Sequence, residues 1–151
     1  MSATPHDGLS VRAGRPEDIE PLTEIWLQSV RASHGFLTES DIQEFLPIVR
    51  EQALPTLELW VVCDGELPIG FAGLAEEKLE ALFLAPEHFR RGGGRLLVEH
   101  ARRIKGPLSV DVNEQNPEAL RFYERMGFKV VGRSETDGGG RPFPLLHLQG
   151  E

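Results

Sequence analysis

The stretch from Leu82 to Phe128 constrains this chain more than any other. It begins as an apolar strand that ends at Ala85-Pro86, passes through a loop with three consecutive glycines, Gly92 to Gly94, and enters a helix at Arg95-Leu96-Leu97. Three residues without side chains leave a row of backbone N–H groups open at a helix start. There the unpaired donors and the macrodipole both favour an anion. A second strand-to-helix crossover, V-D-V-N-E-Q-N-P-E-A-L-R-F-Y-E-R-M-G-F, follows and carries Asn116 and Tyr123. The two crossovers together read as a pyrophosphate cradle beside a polar clamp for the same ligand.

Two common nucleotide sites do not fit. A P-loop requires Gly-Lys-Ser/Thr after its glycines, and Arg95-Leu96-Leu97 stands there instead. A dinucleotide fingerprint requires G-x-G-x-x-G after an early strand, whereas Gly92-x-Gly94 lacks the third glycine and lies in mid-chain.

The remaining elements follow from periodicity and turn chemistry. Leu9 to Ala13 reads as a short strand, and Pro16-Glu17-Asp18 opens a helix whose apolar positions Ile19, Leu22, Ile25, Trp26 and Val30 recur at helical spacing. Ser33 to Leu37 breaks that helix, and Thr38-Glu39-Ser40-Asp41 starts another through Ile42, Phe45, Leu46 and Val49. Leu57 to Cys63 and Ile69 to Leu74 form a hairpin about Asp64-Gly65-Glu66, and Lys78 to Leu84 is the next strand. The glycine-loop helix runs through Ile104 and Leu108 to Val112 is a strand. Pro117 begins a helix that ends at Gly127, a natural C-cap. Phe128 to Arg133 and Leu145 to Leu148 make a final hairpin across a Gly/Pro-rich loop. The order β-α-α-β-β-β-α-β-α-β-β indicates an α/β or α+β domain with a mixed sheet. Residues 9–151 read as one domain behind a flexible N-terminal tail of residues 1–8.

Composition excludes several function classes. A net charge of −8 argues against a general nucleic-acid binder. Basic residues nevertheless gather near the glycines: Arg90, Arg91, Arg95, Arg102, Arg103 and Lys105, with Glu99 opposing them. The last three suit a solvated helix face, whereas Arg90 and Arg91 stand where a phosphate is expected. No apolar run approaches the roughly 20 residues that span a bilayer. The polar start Met1 to Gly8 lacks a signal-peptide core, and a cytoplasmic location is expected. The lone Cys63, after Trp60-Val61-Val62, reads as a buried strand thiol, with no disulfide framework and no metal-ligand spacing.

The two crossovers resemble the coenzyme-A site of the GNAT superfamily of N-acetyltransferases. The family's loop pattern, Gln/Arg-x-x-Gly-x-Gly/Ala, falls on Phe89-Arg90-Arg91-Gly92-Gly93-Gly94. Its later signature falls on Asn116, Phe122-Tyr123 and Gly127-Phe128. Within the family the chain is most similar to a bacterial branch of the YjaB type, which shares V-N-E-Q-N and a P-L-L ending. One departure is plain: Phe89 replaces the usual Gln/Arg at the loop's head, and either Arg90 or Arg91 would have to supply the missing charge.

The resemblance implies a mostly antiparallel sheet flanked by about four helices. It also implies acetyl-CoA as cofactor and direct transfer of its acetyl group to a primary amine, small or proteinaceous. Pantetheine would lie against the backbone of Leu82, Phe83 and Leu84; Phe89 to Arg95 and Asn116 would hold the rest. Asn116, just before Pro117, also reads as an N-cap. Tyr123 is the general acid on this reading, or else an aromatic packed beside Phe122. Asp111 and Glu80 are both open as general base. His34, in the break where the family builds its acceptor pocket, is a third candidate, and His147 a fourth. Trp26, Ser29, Ser33, His34, Phe36, Leu37 and Phe143 would line that pocket, where an aromatic wall suits a cationic amine. A monomer or homodimer is expected. The competing reading is a CoA or acyl-CoA sensor without catalysis.

Overall fold

The computed structural model describes residues 8–33 and 35–150. Most of the expected N-terminal tail, and His34, lie outside the described residues. Seven strands form one sheet in the order β1-β2-β3-β4-β5-β7-β6: β1 (Leu9–Ala13), β2 (Glu58–Asp64), β3 (Leu67–Ala75), β4 (Lys78–Leu84), β5 (Ser109–Asn113), β6 (Lys129–Ser134) and β7 (Leu145–Gln149). All neighbours are antiparallel except β4 and β5. The last hairpin forms as expected, but β7 inserts between β5 and β6, so β6 is the edge strand.

Alternation along the strands builds a core on each face. Val62, Ile69, Leu79, Val110, Val112 and Leu148 pack under α4 (Gly93–Lys105) and α5 (Pro117–Arg125), together with Leu97, Val98, Tyr123 and Phe128. Val61, Cys63 and Phe71 face the other way. They pack against Leu22, Ile25, Trp26 and Val30 of α1 (Ile19–Ser33) and Ile42 of α2 (Glu39–Ile48). Leu97 is fully buried; such burial contributes about 1.5–3 kcal/mol, and truncation to Ala costs about 2–5 kcal/mol. Cys63 is buried, as its strand context indicated.

Helix ends follow local chemistry. Thr38 accepts from the Asp41 N–H at 3.0 Å while Asp41 accepts from the Thr38 N–H at 2.9 Å, a reciprocal cap on α2. Asn116 caps α5, accepting from the Ala119 N–H at 3.3 Å. The second helix runs further than its sequence pattern suggests. It passes into a π-helical turn, Val49–Ala53, and a single α turn, α3 (Leu54–Thr56). Pro47 lacks an N–H donor near the C-terminal end of α2, and the Leu54 N–H reaches back five residues to the Val49 carbonyl.

Between β4 and β5 the sheet opens. Only Lys78–Ser109 and Leu79–Val110 are paired, although β4 continues to Leu84 and β5 to Asn113. On β4's other edge Gly73 pairs with Ala81 and Leu74 with Leu79, which leaves Glu80 as a bulge. A bulge bends its strand, and here β4 leaves β5 at the bulge, after the Leu79–Val110 pair. The result is a wedge that begins at Glu80.

Candidate functional site

The wedge is the mouth of a cleft of about 970 Å³. Glu80, Leu82, Phe83 and Leu84 form one wall; Asp111, Val112 and Asn113 form the other. Phe89, Arg90, Gly92, Gly93, Gly94 and Arg95 close one end, and Asn116, Phe122 and Tyr123 of α5 another. Ser29 and Ser33 reach it from α1. Residues expected to serve one ligand from four separate elements therefore meet in one space.

At the glycine end the backbone is bare by necessity. Gly92 has φ +87°, left-handed, and serves as the N-cap of α4. A Cβ on Gly93 would stand 2.8 Å from Leu84 Cδ1, and one on Gly94 would touch the Phe122 ring at 3.4 Å. The helix start thus faces the cleft without side chains in the way, and its N–H groups are placed for a phosphate. Arg90 lines the cleft, also with a left-handed backbone at φ +71°. Arg91 does not: its guanidinium lies 2.9 Å from Asp64 and 3.0 Å from His88 Nδ1. Of the two arginines expected to serve the ligand, Arg90 borders the cleft and Arg91 is engaged by Asp64 on β2. Arg121 and Arg125 also line the cleft, one turn apart on α5. Sequence reasoning missed this pair, although its spacing on the helix that Asn116 caps would have found it.

At the far end the chemistry changes. Tyr123 is buried, with its ring edge-on to Phe122 at 5.0 Å and Phe128 at 5.4 Å. Burial pushes its phenol above the usual tyrosine range, so the hydroxyl keeps its proton at neutral pH. It has no hydrogen-bond partner among the described residues, which leaves that proton for whatever occupies the cleft. Tyr123 is therefore both a packed aromatic and a donor lining the site.

The two candidate carboxylates differ. Asp111 Oδ2 lies 2.8 Å from Lys78 Nζ and Oδ1 lies 2.7 Å from His147 Nδ1. Burial pushes its carboxyl up, but hydrogen bonds from Lys78 and His147 outweigh that and hold it below the usual range. An ionised carboxylate only accepts, so His147 donates from Nδ1, and its Nε2 lies 2.6 Å from the Ser134 hydroxyl oxygen. Glu80 is less engaged: Lys78 Nζ lies 3.7 Å away, and the side chain is half exposed. The Lys78 ammonium is held above the usual lysine range, first by its bond to Asp111.

Glu80, Ala81 and Phe83 also border a second cavity of about 540 Å³. Trp26 lines it with Ile48, Val49, Leu54, Leu57 and Phe71. Phe36, Leu37 and Phe143, expected along the wall of the acceptor pocket, line neither of these two spaces. Phe143 stacks at a tilt on Phe36 (6.0 Å) and Phe45 (6.4 Å), and Leu37 packs on the α1-side core, so apolar contact with neighbours holds all three. Among the described residues no His, Cys, Asp and Glu cluster could hold a metal ion, and no helix is long and apolar enough to cross a membrane.

Comparison with known proteins agrees with this geometry. Residues 55–130 match the acetyltransferase (GNAT) domain model. Over 141 residues the chain is 45% identical to the peptidyl-lysine N-acetyltransferase YjaB of Salmonella typhimurium, covering 93% of this chain and 97% of that protein. The solution structure of apo YjaB from Escherichia coli superposes with a TM-score of 0.86 at 43% identity, covering 95% of this chain and 99% of that one. A PaiA N-acetyltransferase from Thermoplasma acidophilum, solved with coenzyme A, shares the fold with a TM-score of 0.75 at 24% identity, over 95% of this chain and 98% of that one.

Proposed function

The chain belongs to the GNAT acetyltransferase family, and from that premise we propose that its acceptor is the side-chain amine of a lysine in a protein. It is an N-acetyltransferase that uses acetyl-CoA. The lysine reading is supported by one observation above the rest: Glu80 stands on a bulge between the cleft and the second cavity. An amine approaching from the face of β4 opposite α4 and α5 would meet Glu80 first. A relative 45% identical carries the name peptidyl-lysine N-acetyltransferase, in keeping with that route.

The residues fit the cofactor. Bare backbone at Gly93 and Gly94 and the guanidinium groups of Arg90, Arg95, Arg121 and Arg125 suit its phosphates, and the open edge of β4 at Leu82 to Leu84 suits its pantetheine amides. Acetyl-CoA supplies a thioester, an acyl group already activated toward amines. Glu80 accepts the proton that the attacking nitrogen loses. Tyr123 gives its phenolic proton to the departing sulfur as the C–N bond forms and the C–S bond breaks. Asp111 keeps His147 and Lys78 in place beside Glu80. We assign the activity to one domain, residues 9–151, acting in the cytoplasm, where acetyl-CoA and reduced thiols are both at hand.

The test is mass spectrometry of lysine-containing peptides after incubation with acetyl-CoA. One acetyl group on the lysine side chain is the expected product. Labelling confined to terminal α-amines or to small polyamines overturns the lysine reading.

A further inference from the structure

The second cavity is larger and drier than a lysine requires. A lysine arm is a thin chain of methylenes with one cation, and among the described residues Glu80 alone brings a charge to the border of the space. The rest of its wall is mainly aromatic and aliphatic, from the buried Trp26 and Leu54 to Val49 at the π-helical turn, with the exposed Gln52 and Thr56 as polar members. Such turns recur at binding sites because they widen a helix locally. A volume of about 540 Å³ is within the range of a ligand pocket, far more than one methylene chain fills. Whatever lies beside the amine must fill it with apolar atoms or leave apolar wall against water.

We propose that this cavity is a side-chain subsite of the acceptor and that it takes a large uncharged apolar residue next to the target lysine. The proposal rests on the lysine reading above. The lysine places its amine at Glu80, the one polar group shared by both spaces, while its neighbour's side chain lies against Trp26, Leu54 and Leu57. A charged neighbour would enter the apolar end without a partner, which is strongly unfavourable. Recognition thus takes the form of one cation and one apolar anchor on adjacent residues.

Acetyl-transfer kinetics on a peptide series tests this. Each peptide carries one lysine, flanked on either side in turn by Leu, Phe, Gly or Asp in an otherwise constant sequence. On one flank kcat/KM should rise by about tenfold or more from Gly to Leu or Phe, as burial of one apolar side chain implies, and fall for Asp. The variant Ala53→Phe fills the cavity and should collapse the Leu-to-Gly ratio toward one, with calorimetric CoA binding as the check on folding. Equal rates for Leu, Gly and Asp on both flanks overturn the subsite and leave lysine acetylation standing. If no lysine peptide is acetylated while arylalkyl amines are, the lysine reading itself fails, and the subsite with it.

Discussion

Asp111 holds His147 through a 2.7 Å contact between Oδ1 and Nδ1, and its other oxygen meets Lys78 at 2.8 Å. A carboxylate gripped on both oxygens and held below its usual range is a poor proton acceptor. Glu80, half exposed and 3.7 Å from the same lysine, is better placed for that role.

Glu80→Gln should therefore lower kcat/KM by about 10²-fold and flatten its acid limb, the mark of a lost general base. Asp111→Asn should cost less, about tenfold, and keep a sloping limb, because it disturbs only the orientation of His147 and Lys78. Profiles of kcat/KM against pH for both variants decide the matter. The reverse ranking returns the base to Asp111.

Tyr123→Phe removes one buried hydroxyl and keeps the ring contacts with Phe122 and Phe128. We expect kcat to fall by about 10²–10⁴-fold with CoA affinity nearly unchanged. Stopped-time assays paired with calorimetry give both numbers. A sensor without catalysis would have no turnover to lose, and an unchanged kcat would remove Tyr123 from the reaction.

The parts of the site that local chemistry dictates were legible in the sequence. Gly92 to Gly94 opening a helix and Asn116 capping the next follow from backbone requirements, whereas Tyr123 is picked out by its resemblance to the family signature. What the sequence left open depends on partners distant in the chain. Arg91 is drawn off by Asp64, from 27 residues away, and Asp111 is gripped by His147, from 36 residues away. Phe36 and Phe143 look like pocket walls because both flank loops, yet they pack on each other. The bulge at Glu80 was hidden for another reason: an extra residue in a ladder shows only against the partner strand.

The division of labour between the two loop arginines can be measured. Arg90 borders the cleft, whereas Arg91 is committed to Asp64 and His88. Arg90→Ala should weaken CoA binding by about tenfold, the loss of one charge-assisted contact, and Arg91→Ala by much less. Titration calorimetry of both variants at low salt reads the difference. Equal losses would mean that Arg91 leaves Asp64 when the ligand binds.

Stability at acid pH should depend on the entry to α1. Arg12 donates to both oxygens of Asp18, at 2.8 and 3.0 Å, and the Arg15 N–H donates to the same buried carboxylate at 2.8 Å. The Arg12 bonds are the largest reason that the carboxyl is held below the usual range. A group whose folded pKa is depressed stabilises the fold above its unfolded pKa, about 3.9, and that contribution fades as pH falls through the folded value. Asp18→Asn should lower stability by about 1–3 kcal/mol at neutral pH, since amide oxygen and nitrogen cannot replace a two-pronged acceptor. The gap in Tm between native protein and variant should then narrow below about pH 4, as the native carboxylate takes up its proton. Scanning calorimetry from neutral to acid pH tests this, and a gap that stays constant with pH would show that the pair contributes nothing through its charge.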